Sequence, residues 1–318
     1  MIARLSPKPL QRLYSSMVGQ KNHASPCPLS PRLDGKIALI TGANGGIGKE
    51  TARGLLQRGA EVLMLCRNID KAEQARRSFV ADGLDADAIK IIECDLADLD
   101  SVMAAGQAAK NYLRGRKIDI LIENAGVWAR RYGETEQGYE ISFGTNVLGH
   151  FALRRMLQAG SLARHARIII VTGDIYITTE ACSSRFPWRG AVGGMRAYAR
   201  SKLGNFWIAR ELQKQCPDFN VFVVHPGVVA TRLGGGGRLT DWLKQKLLIN
   251  PTEGAQTSLM CATQCDLSHG SYYHNVHGEC ETDNADPAMN DEAAARLWAR
   301  CMEMTAACER EKALRLAS

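Results

Sequence analysis

From Lys36 onward, short apolar runs rich in β-branched residues alternate with longer stretches whose apolar positions recur at helical spacing. Runs at 37–41, 62–66, 89–94, 118–122, 168–172 and 221–224 show little polar alternation. Strands buried on both faces read this way. Between them, helical periodicity predicts helices over 47–58, 71–81, 98–113, a long region ending near 165, and 197–215. Strand and helix alternating over this length predict an α/β fold: one doubly wound parallel sheet, a Rossmann arrangement with helices on both faces. The reading divides the chain into an N-terminal extension at 1–34, a domain at 35–310 and a tail at 311–318.

Composition narrows the class. The 318 residues are 45% hydrophobic and 23% charged, enough for a sizeable core and too apolar for a disordered chain. The net charge of +7 is uneven: residues 1–33 carry five basic side chains and no acid, which leaves the body near neutral. A nucleic-acid surface is therefore not expected. No apolar run reaches the ~18 residues that span a bilayer. Ten cysteines without a CxxC pair read as reduced thiols, which places the protein inside the cell. The basic, proline-rich extension fits a mitochondrial transit peptide, an unstructured arm, or a short amphipathic segment lying on the domain. A cytoplasmic or mitochondrial location follows from those alternatives.

Candidate chemistry starts just after the first strand, at Thr41-Gly42-Ala43-Asn44-Gly45-Gly46-Ile47-Gly48. Gly42 allows a tight turn off the strand, and Gly46 or Gly48 lets a pyrophosphate approach the backbone. The helix N-terminus then offers unpaired N–H groups. Gly42, Asn44, Gly46, Ile47 and Gly48 are the expected contacts. At the end of the second strand, Cys66-Arg67-Asn68 lacks the carboxylate that would bind ribose hydroxyls. Arg67, helped by Lys49, can instead pair with a 2′-phosphate, which favours NADP(H). Further on, Tyr198 and Lys202 lie one helical turn apart on one face. A free phenol titrates near ~10. A neighbouring ammonium stabilises the phenolate and brings the phenol within reach of proton exchange with a carbonyl oxygen.

The order of these motifs, with Asn124-Ala125-Gly126, Asn146, YARSK and Pro226-Gly227, resembles the short-chain dehydrogenase/reductase family. The strings GIGKETA, LCRN, GTNVLGHFAL, YARSKLGN, VHPGVV, EGAQTSL and ARLW are similar to its retinol dehydrogenase-type branch. The resemblance implies Tyr198 as general acid/base, with Lys202 lowering its pKa and bonding the nicotinamide ribose. It implies that Asn146 holds a helix and a proton-carrying water, and that Asp95 contacts adenine. Asn124 and Gly126 would line the cofactor cleft, Pro226, Gly227 and Val228 would flank the nicotinamide, and Thr231 would bond its carboxamide or phosphate. The implied activity is NADP(H)-dependent interconversion of an alcohol and a carbonyl on a small apolar substrate: a retinoid, steroid, or lipid aldehyde or ketone. Dimers and tetramers are common in that family, so a homodimer is among the expectations.

Two departures stand out. The family places a serine after the fifth strand to polarise the carbonyl, whereas this chain reads Val171-Thr172-Gly173-Asp174. Counting from Arg167 puts Gly173 in that place; matching a V-T-G-S form puts Asp174 there. Losing one such donor costs about 10²–10³ in rate. Thr172 could supply a hydroxyl, or Asp174 a protonated carboxyl if its pKa were strongly raised. A weakly active or non-catalytic NADPH-binding regulatory or interaction protein is the rival reading. Glu123, in place of the usual asparagine, either weakens cofactor binding or caps a turn. His274, His277 and Cys280 are spaced like zinc ligands, but no fourth is evident and no metal is expected. Four glycines at 234–237 read as a substrate lid or a plain loop. Phe186, Trp188, Trp242 and residues 247–249 read as pocket lining, or as core or oligomer contacts.

Overall fold

The computed structural model describes residues 2–6, 8–17, 20, 26–229 and 248–317. Its strands are β1 (Ala3–Arg4), β2 (Ile37–Thr41), β3 (Glu61–Cys66), β4 (Ile89–Glu93), β5 (Ile118–Glu123), β6 (Leu162–Val171), β7 (Asn220–His225), β8 (Tyr272–His274) and β9 (Gly278–Glu281). They form one sheet in the order β1-β9-β8-β7-β6-β5-β2-β3-β4. Every pairing is parallel except β8 with β9. Strand β2 pairs with β3 on one side and β5 on the other, so the winding direction switches beside it. Ligands of such sheets bind past the strand C-termini at that point.

The helices are α1 (Pro9–Met17), α2 (Gly46–Leu56), α3 (Ile69–Ala81), α4 (Leu99–Leu113), α5 (Gly149–Gln158), α6 (Gly190–Gln215), α7 (Pro251–Thr263) and α8 (Asp291–Ala317). Each central strand feeds both faces. Ile37 and Leu39 join the core beneath α4, α5 and α6; Ala38 and Ile40 join the core beneath α2, α3 and α7. This two-sided burial is why the strands lack polar alternation. Helix starts are fixed locally. Asn68 accepts from Lys71 N at 2.8 Å, Asp98 from Asp100 N at 2.9 Å, and Asn250 and Glu253 form a capping box.

The helical region expected to end near 165 is corrected. Residues 124–140 are mostly irregular, helix runs from 141 to 158, and β6 already begins at Leu162. Helix α6 starts at Gly190, seven residues before the expected 197. Strands β8 and β9, three and four residues long, carry too few positions to show a period. The limits at 34 and 310 do not separate structural units. Helix α8 runs through 310, and β1 pairs with β9, Ala3 opposite Cys280. Among the alternatives for the extension, residues 2–6 and 8–17 are a segment packed on the domain; a disordered arm is not what they form. Helix α1 buries Arg12 and Ser16 and leaves Leu10 and Tyr14 exposed. Among the described residues, no helix is long and apolar enough to cross a membrane.

Candidate active site

A cleft of 1030 Å3 opens where the winding switches. Its cofactor half is mostly backbone. Gly42 turns off β2 with φ +69° and bonds Leu65 O at 2.8 Å. A Cβ at Gly48 would collide with the Gly42 carbonyl and the Asn124 amide, so no other residue fits there. No side chain caps the N-terminus of α2, which leaves its first N–H groups for a phosphate. These features fit a dinucleotide, with Gly42, Asn44, Gly46, Ile47 and Gly48 all lining the cleft. Arg67, just past the end of β3, lines it with Lys49 of α2 and Lys71 of α3; the sequence candidates lack Lys71 because it reads as an ordinary first-turn helix residue. Arg67 also lies 3.7 Å from Asp95, within reach of the adenine end. Asn124 bonds Thr41 O at 2.9 Å through its amide, tying the loop after β5 to the glycine turn.

Tyr198 and Lys202 project from α6 into the same cleft, beside Asn124, Gly126 and the Pro226–Gly227–Val228 turn. The Lys202 ammonium lies 5.4 Å from the centre of the Tyr198 ring and donates to Val171 O at 2.9 Å. Trp128 stacks on that ring, centroids 5.7 Å apart. Sequence reasoning missed Trp128, because an irregular loop gives no period from which to place it. The expected lowering of the phenol is absent from this state. Burial pushes Tyr198 up to about 12 and pulls Lys202 down to about 8, since both lose the water that solvates their charged forms. Asn146 is fully buried in a π-turn (Gly144–Leu148), of the kind frequent at functional sites. It accepts from Val127 N at 2.7 Å and donates to Ser201 Oγ at 2.9 Å, which fixes the wall around Lys202.

The substrate half is built from side chains. Thr172 donates its hydroxyl to Lys202 O at 2.8 Å, so that proton is spent inside the fold. Asp174 is buried; its Oδ1 accepts from Arg12 Nε at 3.2 Å and Tyr272 Oη at 2.6 Å, and its Oδ2 from His274 Nε2 at 3.0 Å and from the Ser16 hydroxyl. Burial opposes its charge, but His225, His274 and Arg12 outweigh it and hold the carboxyl well below the usual range. The protonated-Asp174 reading is therefore corrected: the group is a carboxylate and cannot donate. Arg12 continues the network to Asp286 at 2.6 Å and Tyr176 at 2.7 Å. Through it α1 is pinned over the cleft, where Leu13, Ser16 and Met17 join the lining. Gln20 follows, accepting from Val228 N at 3.0 Å and donating to Val228 O at 3.4 Å.

Comparisons with known proteins agree with this geometry. A family model described as short chain dehydrogenase matches residues 36–240. The chain belongs to the short chain dehydrogenase family. It is accordingly an oxidoreductase of the kind that acts on CH–OH groups with a nicotinamide cofactor. It is similar to retinol dehydrogenase 14 of Mus musculus, 36% identical over 290 residues and covering 84% of each chain. It is also similar to retinol dehydrogenase 12 of Homo sapiens, 36% identical over 290 residues, covering 86% of this chain and 87% of that one. An uncharacterised Mycobacterium paratuberculosis protein of known structure superposes with a TM-score of 0.67 at 28% identity, covering 88% of this chain and 98% of that one. A Burkholderia cenocepacia gluconate 5-dehydrogenase solved with NADP and tartrate gives 0.56 at 25% identity, covering 73% and 89%.

Other candidates resolve differently in this dehydrogenase. Glu123 neither caps a turn nor faces the cofactor; it is buried against Arg154, whose Nε donates to it at 2.8 Å. Trp188 donates to Glu140 at 3.2 Å and Phe186 lies under Arg200, so neither lines the cleft, whereas Leu248 does. Thr231, Trp242, Leu247 and the glycines at 234–237 lie outside the described residues. The antiparallel register sets Cys280 opposite Tyr272 and His274 opposite Gly278, so the spacing of His274, His277 and Cys280 does not make a ligand set. A different trio, Asp174, His225 and His274, brings ligand atoms within 4.8 Å. Its lone pairs are taken. His274 accepts from Val276 N at 3.0 Å on Nδ1, which puts its proton on Nε2 facing Asp174, and Arg12 already neutralises the carboxylate.

Proposed function

We propose that this dehydrogenase interconverts an alcohol and a carbonyl on a small apolar substrate with NADP(H). The observation that carries the reading is the convergence of Tyr198 and Lys202 with the glycine turn in one cleft. When bound, the nicotinamide supplies or takes up the hydride. Tyr198 gives the proton to the carbonyl oxygen or removes it from the alcohol, and the charge of Lys202 stabilises the phenolate that remains. The basic trio Lys49, Arg67 and Lys71 supports NADP over NAD, because three cations meet a 2′-phosphate better than two ribose hydroxyls. Leu13, Met17, Trp128, Ile175 and Leu248 give the substrate side an apolar lining, and the relatives named for retinol make a retinoid the first substrate class to try. The rival reading, a weak or non-catalytic NADPH-binding protein, draws on the spent hydroxyl of Thr172 and the ionised Asp174.

The test is NADPH oxidation with all-trans-retinal, a steroid ketone and a medium-chain aldehyde. Turnover that falls at least ~10²-fold in Tyr198→Phe, with NADPH affinity kept, supports the enzyme. Tight NADPH binding with no turnover on any of the three supports the rival.

A further inference from the structure

We infer that helix α1, drawn from the extension whose composition fits a transit peptide, is a fixed wall of the substrate site, and that its Leu13 and Met17 set the preference for long apolar substrates. This deepens, and rests on, the reading of the cleft as one that binds alcohols and carbonyls. Arg12, Ser16 and Gln20 recur every four residues, and all are buried. They meet the domain at two places. Arg12 and the Ser16 hydroxyl reach Asp174, next to Gly173 at the place of the missing serine. Gln20 pairs with the backbone of Val228 through both ends of its amide, in the turn after β7. The chain from 12 to 20 therefore crosses from the end of β6 to the turn after β7.

Leu13 and Met17 each follow one of these residues and lie one helical turn apart, so they share the neighbouring face. Both line the cleft, as do Gly173, Tyr198 and Val228. Leu13 is half-buried against the core beneath α6. Met17 keeps 47% of its surface open. A hydrocarbon chain laid against Met17 takes that surface out of water, and the unbranched thioether adapts its shape to what it meets. The polar side chains beside them are taken. All three guanidinium nitrogens of Arg12 are bonded, to Asp174, Asp286 and Tyr176, and the Ser16 hydroxyl is held against Asp174. What this wall offers a substrate is hydrocarbon. It is also fastened along its length. Ahead of it β1 pairs with β9, and Leu5 N donates to Glu281 O at 3.3 Å. In its middle the Arg12 guanidinium lies 4.9 Å and 5.6 Å from the ring centres of Tyr176 and Tyr272.

The test compares all-trans-retinal with butanal, which has little chain to lay along a helix. In Leu13→Asn and in Met17→Gln, the ratio of kcat/KM for retinal to that for butanal is expected to fall about tenfold. The loss appears in KM for retinal, with its kcat and the KM for NADPH each within about twofold. Leu10→Asn, on the outer face of the same helix and 83% exposed, is the control and should move none of these. A second readout needs no turnover. Retinal titrated into protein loaded with oxidised NADP, followed by quenching of tryptophan fluorescence, should bind about tenfold more weakly in Leu13→Asn. An unchanged ratio and unchanged retinal affinity in both variants overturn the inference. So does an equal loss for retinal and butanal, or a loss that Leu10→Asn reproduces, because either marks α1 as structural support alone. A wild type that turns over no carbonyl, yet loses retinal affinity in Leu13→Asn, sinks the oxidoreductase reading and upholds α1 as the wall.

Discussion

The two halves of the cleft are made by different means. On the cofactor side, the glycine turn at 42–48 and the uncapped start of α2 present backbone, and the few charged side chains there stand in solvent. On the substrate side, Arg12, Asp174, Asp286, Tyr176, Tyr272 and His274 form one buried network that spans the first helix, the end of β6 and the far edge of the sheet. The first arrangement needs little from the rest of the molecule. The second depends on segments up to 274 residues apart in sequence, and a buried charge there that loses its partner has no water to turn to. The cofactor half therefore rests on local backbone, while the substrate half rests on contacts between segments distant in the chain.

Three experiments break or sharpen that contrast. The largest effect is expected from Arg12→Ala, which leaves Asp174 and Asp286 buried without their cation. Urea denaturation should show a loss of about 3–5 kcal/mol. NADPH affinity, measured at a temperature where the variant is folded, should stay within twofold; a parallel loss of affinity would mean the halves are not separable. Next, Arg67→Ala combined with Lys71→Ala should raise KM for NADPH about tenfold, ~1.4 kcal/mol, while KM for NADH changes less than twofold. An equal rise for both cofactors would remove the basis for choosing NADP. The smallest effect is in pH. His225 is neutral when folded, with its pKa down at about 3, against ~6.5 when unfolded. Between those values the unfolded chain binds the extra proton, so stability falls as pH drops, by at most ~1.4 kcal/mol per unit for this group. His150, also held neutral by burial, adds the same sign. The stability from Asp174 is fully present above ~3.9 and is lost only as pH falls further, toward its lower folded value. His225→Gln should flatten the slope between pH 6.5 and 4; a slope unchanged by that substitution would place its source elsewhere.

What could be read from the chain follows the same division. Gly42, Gly48, Arg67 and the Tyr198–Lys202 pair are local: a turn after a strand, a helix start, two residues one turn apart. Local rules place them, and the structure brings all of them to one cleft. The surroundings of the missing serine were not local. His225 stood in the sequence as part of a recurring string, and only the pairing of β7 with β6 and β8 sets its ring beside Gly173, Asp174 and His274. Glu123 read as an anomaly at the cofactor because its partner, Arg154, lies on a helix 31 residues further on.

The first seventeen residues show the limit most directly. Leu10 and Tyr14 stay exposed, and α1 turns Arg12 and Ser16 inward because Asp174 and Asp286 lie beneath. The sequence by itself determined the alternating sheet, the glycine turn and the phenol–amine pair, since each rests on periodicity or on neighbours within a few residues. The tertiary structure decided which way α1 faces, which carboxylates keep their charge and which side chains surround Gly173. Those depend on the field and space at one point, to which residues distant in the chain contribute together.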